Sequence, residues 1–393
     1  MIFHVIILFS AYIVLFFVQY HAILYYYFYC TKEKERMNWK KIIAIGLTGC
    51  FLFSGCAEQR QNAQKMGEEG TQEDSYESTT FAMDTVMTFH IVAPDGEDLL
   101  IDAEQEVKRL EKLFSVTDED SDIEQINDNA GDKAVTVSAD TLALLKAGKQ
   151  LGKATNNAFD MAIYPIVKAW GFTENEYTIP TQETLDELLP LTKVSNVTID
   201  EDASTVYLEK EGMAVDLGGI AKGYASDKLA ELLKKKGVKS AWISLGGNVC
   251  AIGTKPDGSP WRIAVQNPAD ENDYVGVVEI SDACAVTSGG YQRYFEENGK
   301  KYHHIIDPAT GKPAESGLTS VTIICKDGTK ADALSTALYV MGLEDALAYW
   351  KTQDDFEVIF VTEEGEVVAT EGLKDSFTFD GKGNDYTYRV AKR

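Results

Sequence analysis

Cationic side chains, histidine and cysteine are all scarce in this chain of 393 residues. Lys and Arg number 37 against 62 Asp and Glu, a formal charge of −25; without residues 1–55 the balance is 32 against 60, or −28. So acidic a body repels nucleic acid, and no nucleic-acid partner is expected. Only three of the six cysteines lie beyond residue 56: Cys250, Cys284 and Cys325, each in an apolar segment. An odd remainder argues against a disulfide framework and leaves them as small core residues. The fingerprints GxxxxGK(S/T) and GxGxxG are also absent, so neither usual nucleotide motif is available.

The first 56 residues are a different material. Met1 to Cys30 carries no Asp, Glu, Lys or Arg and is long enough to span a bilayer. A second pattern begins at Met37: basic Lys40 and Lys41, an apolar core from Ile42 to Phe53, then Ser54-Gly55-Cys56. This is the layout of a signal peptide, and a cysteine after small residues resembles a bacterial lipobox. The reading is an upstream extension at 1–36, a signal peptide at 37–55, and lipidation at Cys56, with Cys50 as the alternative acceptor. The competing reading is a membrane helix at 6–28. Both place the body outside the cytoplasmic membrane, on its outer face. Residues 56–80, rich in Gln, Glu, Ser and Thr, read as a lipidated cysteine with a flexible tether, and 81–390 as one catalytic domain.

The most informative stretch runs from Val215 to Tyr224. Apolar residues at Val206, Leu208 and Met213 to Leu217 predict a strand, Gly218-Gly219 a tight turn, and Ala225, Leu229, Leu232 and Leu233 a helix that stops at Gly237. Paired glycines let backbone approach a ligand, and a helix start offers unpaired N–H groups, which suits a phosphate. Lys222 adds a point charge. Asp216 fits beside an anion only as the partner of a cation, a metal-bound water or a ribose hydroxyl. The alternative is an ordinary strand-to-helix turn with a surface lysine.

Elsewhere, Met87, Phe89 and Ile91 alternate as in a half-buried strand, and helices are predicted over 96–115 and about 140–152. Ala158-Phe159-Asp160 suits a pocket wall. A second glycine pair, Gly246-Gly247, ends a buried strand, and a hairpin turn at Asn298-Gly299 precedes His303-His304. A helix starting near Ala331 and ending near Gly342 carries Asp332 and Thr336 four residues apart, hence on one face. Carboxylate, hydroxyl and a nearby carbonyl form an oxygen set suited to Mg²⁺, although Asp332 alone could serve the helix dipole.

Taken together, Met83-Asp84-Thr85, Ala158-Phe159-Asp160 with Trp170-Gly171-Phe172, Asp216 to Tyr224, His304 to Pro308 with Thr310-Gly311, and Ala331-Asp332 with Ser335-Thr336 resemble the FAD:protein FMN transferase (ApbE) family. The resemblance covers roughly residues 80 to 345. It implies an α+β, T-fold-like sandwich of antiparallel sheets with helices packed outside. It also implies Mg²⁺-dependent cleavage of FAD, transfer of FMN to a Thr or Ser hydroxyl of an exported flavoprotein of an electron-transfer complex, and release of AMP. Carried over by motif, Asp332, Thr336 and the Gly219 carbonyl would hold the metal. Met83, Ala158, Phe159, Asp160, Asp216, Lys222 and Ile305 would contact FAD, and His304 would take the hydroxyl proton. Many members carry Tyr where this chain has Thr117, a position that helps separate transfer from hydrolysis. The alternatives are therefore an FAD pyrophosphatase and, from another class, a flavin-carrying lipoprotein without catalysis.

Overall fold

Nine strands whose order across the sheet is their order along the chain form the central layer. They are β1 (Ser75–Ala82), β2 (Thr85–Val92), β3 (Ser240–Leu245), β4 (Asn248–Gly253), β5 (Cys284–Gly289), β6 (Leu318–Cys325), β7 (Phe356–Thr362), β8 (Glu366–Thr370) and β9 (Thr387–Ala391). Neighbours pair antiparallel except β8 and β9, which run parallel. These coordinates are a computed structural model that describes residues 74–393. The expected signal peptide, the membrane-helix reading and Cys56 lie outside the described residues.

Helices cover one face of this sheet. α1 (Gly96–Phe114) buries Ala103, Val107, Leu110 and Phe114 against it, the face that the sequence predicts. The Ser121 side chain caps α2 (Asp122–Asp128) by accepting from Glu124 N–H, and Ser138 likewise caps α3 (Ala139–Ala154). Short helices α4 (Tyr164–Ala169) and α5 (Gln182–Leu188) follow. α6 (Ala221–Lys235) and α7 (Gly328–Trp350) pack against each other as well as the sheet. On the other face, a three-stranded sheet of Trp261–Asn267, Asp270–Ile280 and Phe377–Phe379 closes a second core with Ala251, Ala285, Ile359, Val361 and Val367.

Four expectations need correction. Residues 75–80, read as tether, belong to β1: their polarity is that of an exposed edge strand, and Thr and Tyr favour extended backbone. The segment Met213 to Leu217 buries Met213, Val215 and Leu217 but joins no sheet among the described residues. The side-chain amide of Asn127 takes the place of a neighbouring strand, donating to the Val215 carbonyl (3.1 Å) and accepting from its N–H (2.7 Å). α7 does not end at Gly342 but breaks there, at φ 76° and ψ 169°, and continues to Trp350.

The fourth correction is a disulfide between Cys250 and Cys284, leaving Cys325 free and buried. The two bonded cysteines are register partners across β4 and β5, and Cys284 also faces Cys325 across β5 and β6. An odd count excludes a complete pairing, not a single bond between neighbours, and strand register is what brings these two together.

Candidate active site

The α6 N-terminus is the centre of the site. Asp216 N–H donates to the Met161 carbonyl (2.8 Å), and Asp216 Oδ1 accepts from Gly218 N–H (2.8 Å), folding the glycine turn back over the carboxylate. Burial pushes the Asp216 carboxyl upward, while Gly218 N–H, Lys222 and Arg293 oppose that. Lys222 lies in the first turn of α6 with Nζ 3.1 Å from the Gly218 carbonyl. At Gly223 the helices α6 and α7 nearly touch: a Cβ there would lie 2.1 Å from the Gly328 carbonyl oxygen and 2.7 Å from Asp332 Cβ.

Asp332, 4% exposed, accepts from Gly223 N–H and from Asn248 Nδ2, each at 2.9 Å. Both donors are neutral, and among the described residues no cation pairs with this carboxylate. Beside it, Thr336 Oγ1 lies 3.3 Å from Ser288 Oγ, which is 2.7 Å from Ser335 Oγ, which in turn donates to the Asp332 carbonyl (2.8 Å). A Cβ on Gly219 would sit 3.7 Å from Thr336 Oγ1, so the glycine turn and the hydroxyl share one corner. A buried carboxylate satisfied only by neutral donors, next to a hydroxyl and a backbone turn, is an oxygen-rich corner that fits a hard divalent cation. The residues present fit Mg²⁺, although they form no cluster of three or more acidic, His or Cys groups among the described residues.

His304 follows the hairpin Tyr294–Glu297/Lys300–His303, whose turn at Asn298 and Gly299 has positive φ at both positions, as the Asn-Gly pair predicts. Its Nδ1 lies 3.1 Å from the Arg293 carbonyl. A carbonyl can only accept, so Nδ1 carries the proton and the Nε2 lone pair is free. Burial drives the imidazole down to about 4, so it is neutral at pH 7. His303 turns the other way, with Nε2 3.1 Å from the Ala314 carbonyl and its ring edge-on to Tyr339.

One cavity of about 880 Å³ gathers every candidate of the folded region: Met83, Ala158, Phe159, Asp160, Asp216, Gly219, Lys222, His304, Ile305, Asp332 and Thr336. Both glycine pairs, 218/219 and 246/247, reach it as well. Asp160, which lines the cavity, also ties its wall together. Burial raises its carboxyl to about 6, and its oxygens accept from Ala162 N–H (2.8 Å) and Val194 N–H (3.1 Å), so it clasps the cavity wall. Thr117 is exposed and bonded within its own loop, and Val116 lines the cavity in its stead.

The model of the ApbE family matches residues 83–360, most of the folded region. The chain belongs to the ApbE family. An ApbE relative from Klebsiella pneumoniae (strain 342), named FAD:protein FMN transferase, is 37% identical over 67% of this chain and 82% of its own length. One of the same name from Escherichia coli (strain K12) is 31% identical over 82% and 93%. The crystal structure of the ApbE protein from Thermotoga maritima superposes with a TM-score of 0.73 at 34% identity, covering 77% of this chain and 98% of that one. The α+β fold expected from the resemblance is thus the fold observed.

Within this ApbE site, sequence reading missed Arg293, Thr287, Ser288 and Asn248, all lining the cavity. Arg293 donates to the Phe172 carbonyl and supplies a second cation beside Lys222. Its one available signal was its place, eleven residues before His304, across the hairpin that the Asn-Gly turn predicts.

Proposed function

We propose that this chain is an FAD:protein FMN transferase that moves FMN from FAD to a threonine or serine hydroxyl of an exported flavoprotein of an electron-transfer complex, releasing AMP. The carrying observation is the fixed tautomer of His304: a neutral imidazole with its Nε2 lone pair open beside two cations. The acceptor oxygen attacks the FMN-side phosphorus of FAD, a new phosphoester P–O bond forms, and the hydroxyl proton passes to His304 Nε2. The bond from that phosphorus to the bridging oxygen breaks, and AMP leaves. Lys222 and Arg293 offset the pyrophosphate charge, and the paired glycines admit it against backbone N–H groups. Asp332, Thr336 Oγ1 and the Gly219 carbonyl would hold Mg²⁺, which supplies further charge neutralisation of the phosphates. Met83, Phe159 and Ile305 form apolar wall suited to the flavin, and Asp216, which lines the same cavity, would accept from a ribose hydroxyl or a metal-bound water.

The proposed location is the outer face of the bacterial cytoplasmic membrane, through a lipid on Cys56. Support comes from the signal-like segment at 37–55 and from the Cys250–Cys284 disulfide, since such bonds persist in oxidising compartments. The deciding experiment incubates the protein with FAD, Mg²⁺ and a candidate acceptor domain, following acceptor mass, AMP and free FMN. An FMN-sized mass gain with AMP, lost on adding a chelator, supports transfer. AMP and free FMN without mass gain across several acceptors would establish the pyrophosphatase reading, which the small, outward-turned Thr117 favours.

A further inference from the structure

Helices cover one face of the nine-stranded sheet, and the three-stranded sheet packs over the other from β4 onward, reaching past it only through Trp261, whose ring lies 5.8 Å from that of His90, and Trp242. Over β1 to β3 the outer face holds three cross-strand rows: Glu77, His90 and Trp242; Thr79, Thr88 and Ser244; and Phe81 with Val86. The single carboxylate in these rows, Glu77, lies 3.5 Å from His90 Nδ1. In a chain of net charge −25, this is a nearly uncharged surface.

Phe81 and Val86 are the two most exposed large hydrophobic side chains among the described residues, at 67% and 58%, and they are register partners. The turn between their strands, Met83-Asp84, has positive φ at both residues and forms cavity lining together with Thr85. Gln266 and Glu271, from the hairpin end of the smaller sheet, line the same cavity. The apolar pair therefore sits at the rim of the reaction cavity, and the uncharged face runs away from it.

We infer that Phe81 and Val86 anchor the acceptor polypeptide: an extended segment with apolar side chains close to its threonine or serine covers this pair while the hydroxyl enters the cavity between the two hairpins. The inference rests on the transferase reading above, because only a protein acceptor requires a docking surface at the mouth. The face is continuous with the cavity, and its exposed apolar pair, with the carboxylates of Glu77, Asp84 and Glu271 nearby, selects apolar flanks over acidic ones.

The test uses the full chain in detergent with FAD, Mg²⁺ and two short peptides. Each carries one threonine, flanked by Val, Leu and Ala in one and by Ser, Gly and Asp in the other. FMN transfer is read by peptide mass, and FAD affinity by flavin fluorescence. The apolar peptide should be the better acceptor, and Phe81→Asp should raise its KM about tenfold or more while FAD affinity and kcat stay within about twofold. Phe81→Ser, which adds no charge, should act in the same direction. Transfer to both peptides with KM unchanged by either substitution would overturn the docking face and leave the transferase reading standing. Cleavage of FAD with no transfer to either peptide would overturn both.

Discussion

Asp332 Oδ2 accepts the N–H of Gly223 at 2.9 Å, tying the second turn of α7 to the first turn of α6. One carboxylate thereby caps the helix that carries Lys222 and stands in the corner proposed for the metal. The two roles are separable by charge. Asp332→Asn retains an oxygen able to accept from Gly223 but removes the negative charge. We predict a folded protein whose turnover drops by a factor of about 10² to 10³ and no longer responds to Mg²⁺. Circular dichroism melting with a Mg²⁺ titration of AMP release checks both halves, and full Mg²⁺-dependent activity would reject the metal assignment.

Gly223 itself is fixed by the crossing of α6 and α7. A methyl group there meets backbone oxygen at 2.1 Å, which cannot rotate aside as a side chain could. Gly223→Ala should therefore cost about 1 to 3 kcal/mol or more in urea unfolding, despite the better helix propensity of alanine. Stability equal to that of the unaltered chain would mean the helices separate freely.

His304 gives a pH signature. Burial lowers its folded pKa to about 4 from the ordinary value near 6.5, so protons favour the unfolded chain between those values. Its contribution to stability is full above about pH 6.5 and falls as pH drops toward 4. The free base persists over the same range, so His304 itself should cause no fall in kcat/KM between neutral pH and about 5, and a decline below that. An inflection near 6.5 assigned to His304 by its loss in His304→Ala would contradict this.

How much of this was legible in the sequence follows from the range of the interactions involved. The alternation of Met87, Phe89 and Ile91, the Asn298-Gly299 hairpin and the start of α6 are local patterns and appear where expected. The segment Met213 to Leu217 has the composition of a strand, yet Asn127, 88 residues earlier, takes its hydrogen bonds. The Cys250–Cys284 bond depends on register between β4 and β5, which no single segment encodes. The candidate residues converge because motifs compress such long-range information, whereas Arg293, outside every motif, could be found only in space.

The disulfide closes a span of 34 residues between β4 and β5. The chain-entropy relation places its contribution at about 3 to 4 kcal/mol. Cys250→Ser with Cys284→Ser should lower stability in that direction, and peptide mapping after alkylation of the unfolded, unreduced protein should label Cys325 but neither of the bonded pair. Labelling of all three would show that the bond does not form.

Met83 N–H donates to Glu111 Oε1 at 2.5 Å, so the last turn of α1 holds the β1–β2 turn in place at the cavity. Met83 and Asp84 both sit at positive φ, a conformation that non-glycine residues adopt at a cost and keep only when neighbours enforce it. Glu111 does not line the cavity, so under the proposed function it would reach bound FAD by holding Met83. Glu111→Ala removes a charge-assisted bond worth about 1.5 to 3 kcal/mol and should weaken FAD binding by about ten- to a hundredfold. Glu111→Gln, which still presents an oxygen to the N–H, should recover most of that loss. Because His304 and the cation corner are untouched, kcat at saturating FAD should change less than KM, and an equal fall in both would show that the turn serves the chemical step rather than flavin binding.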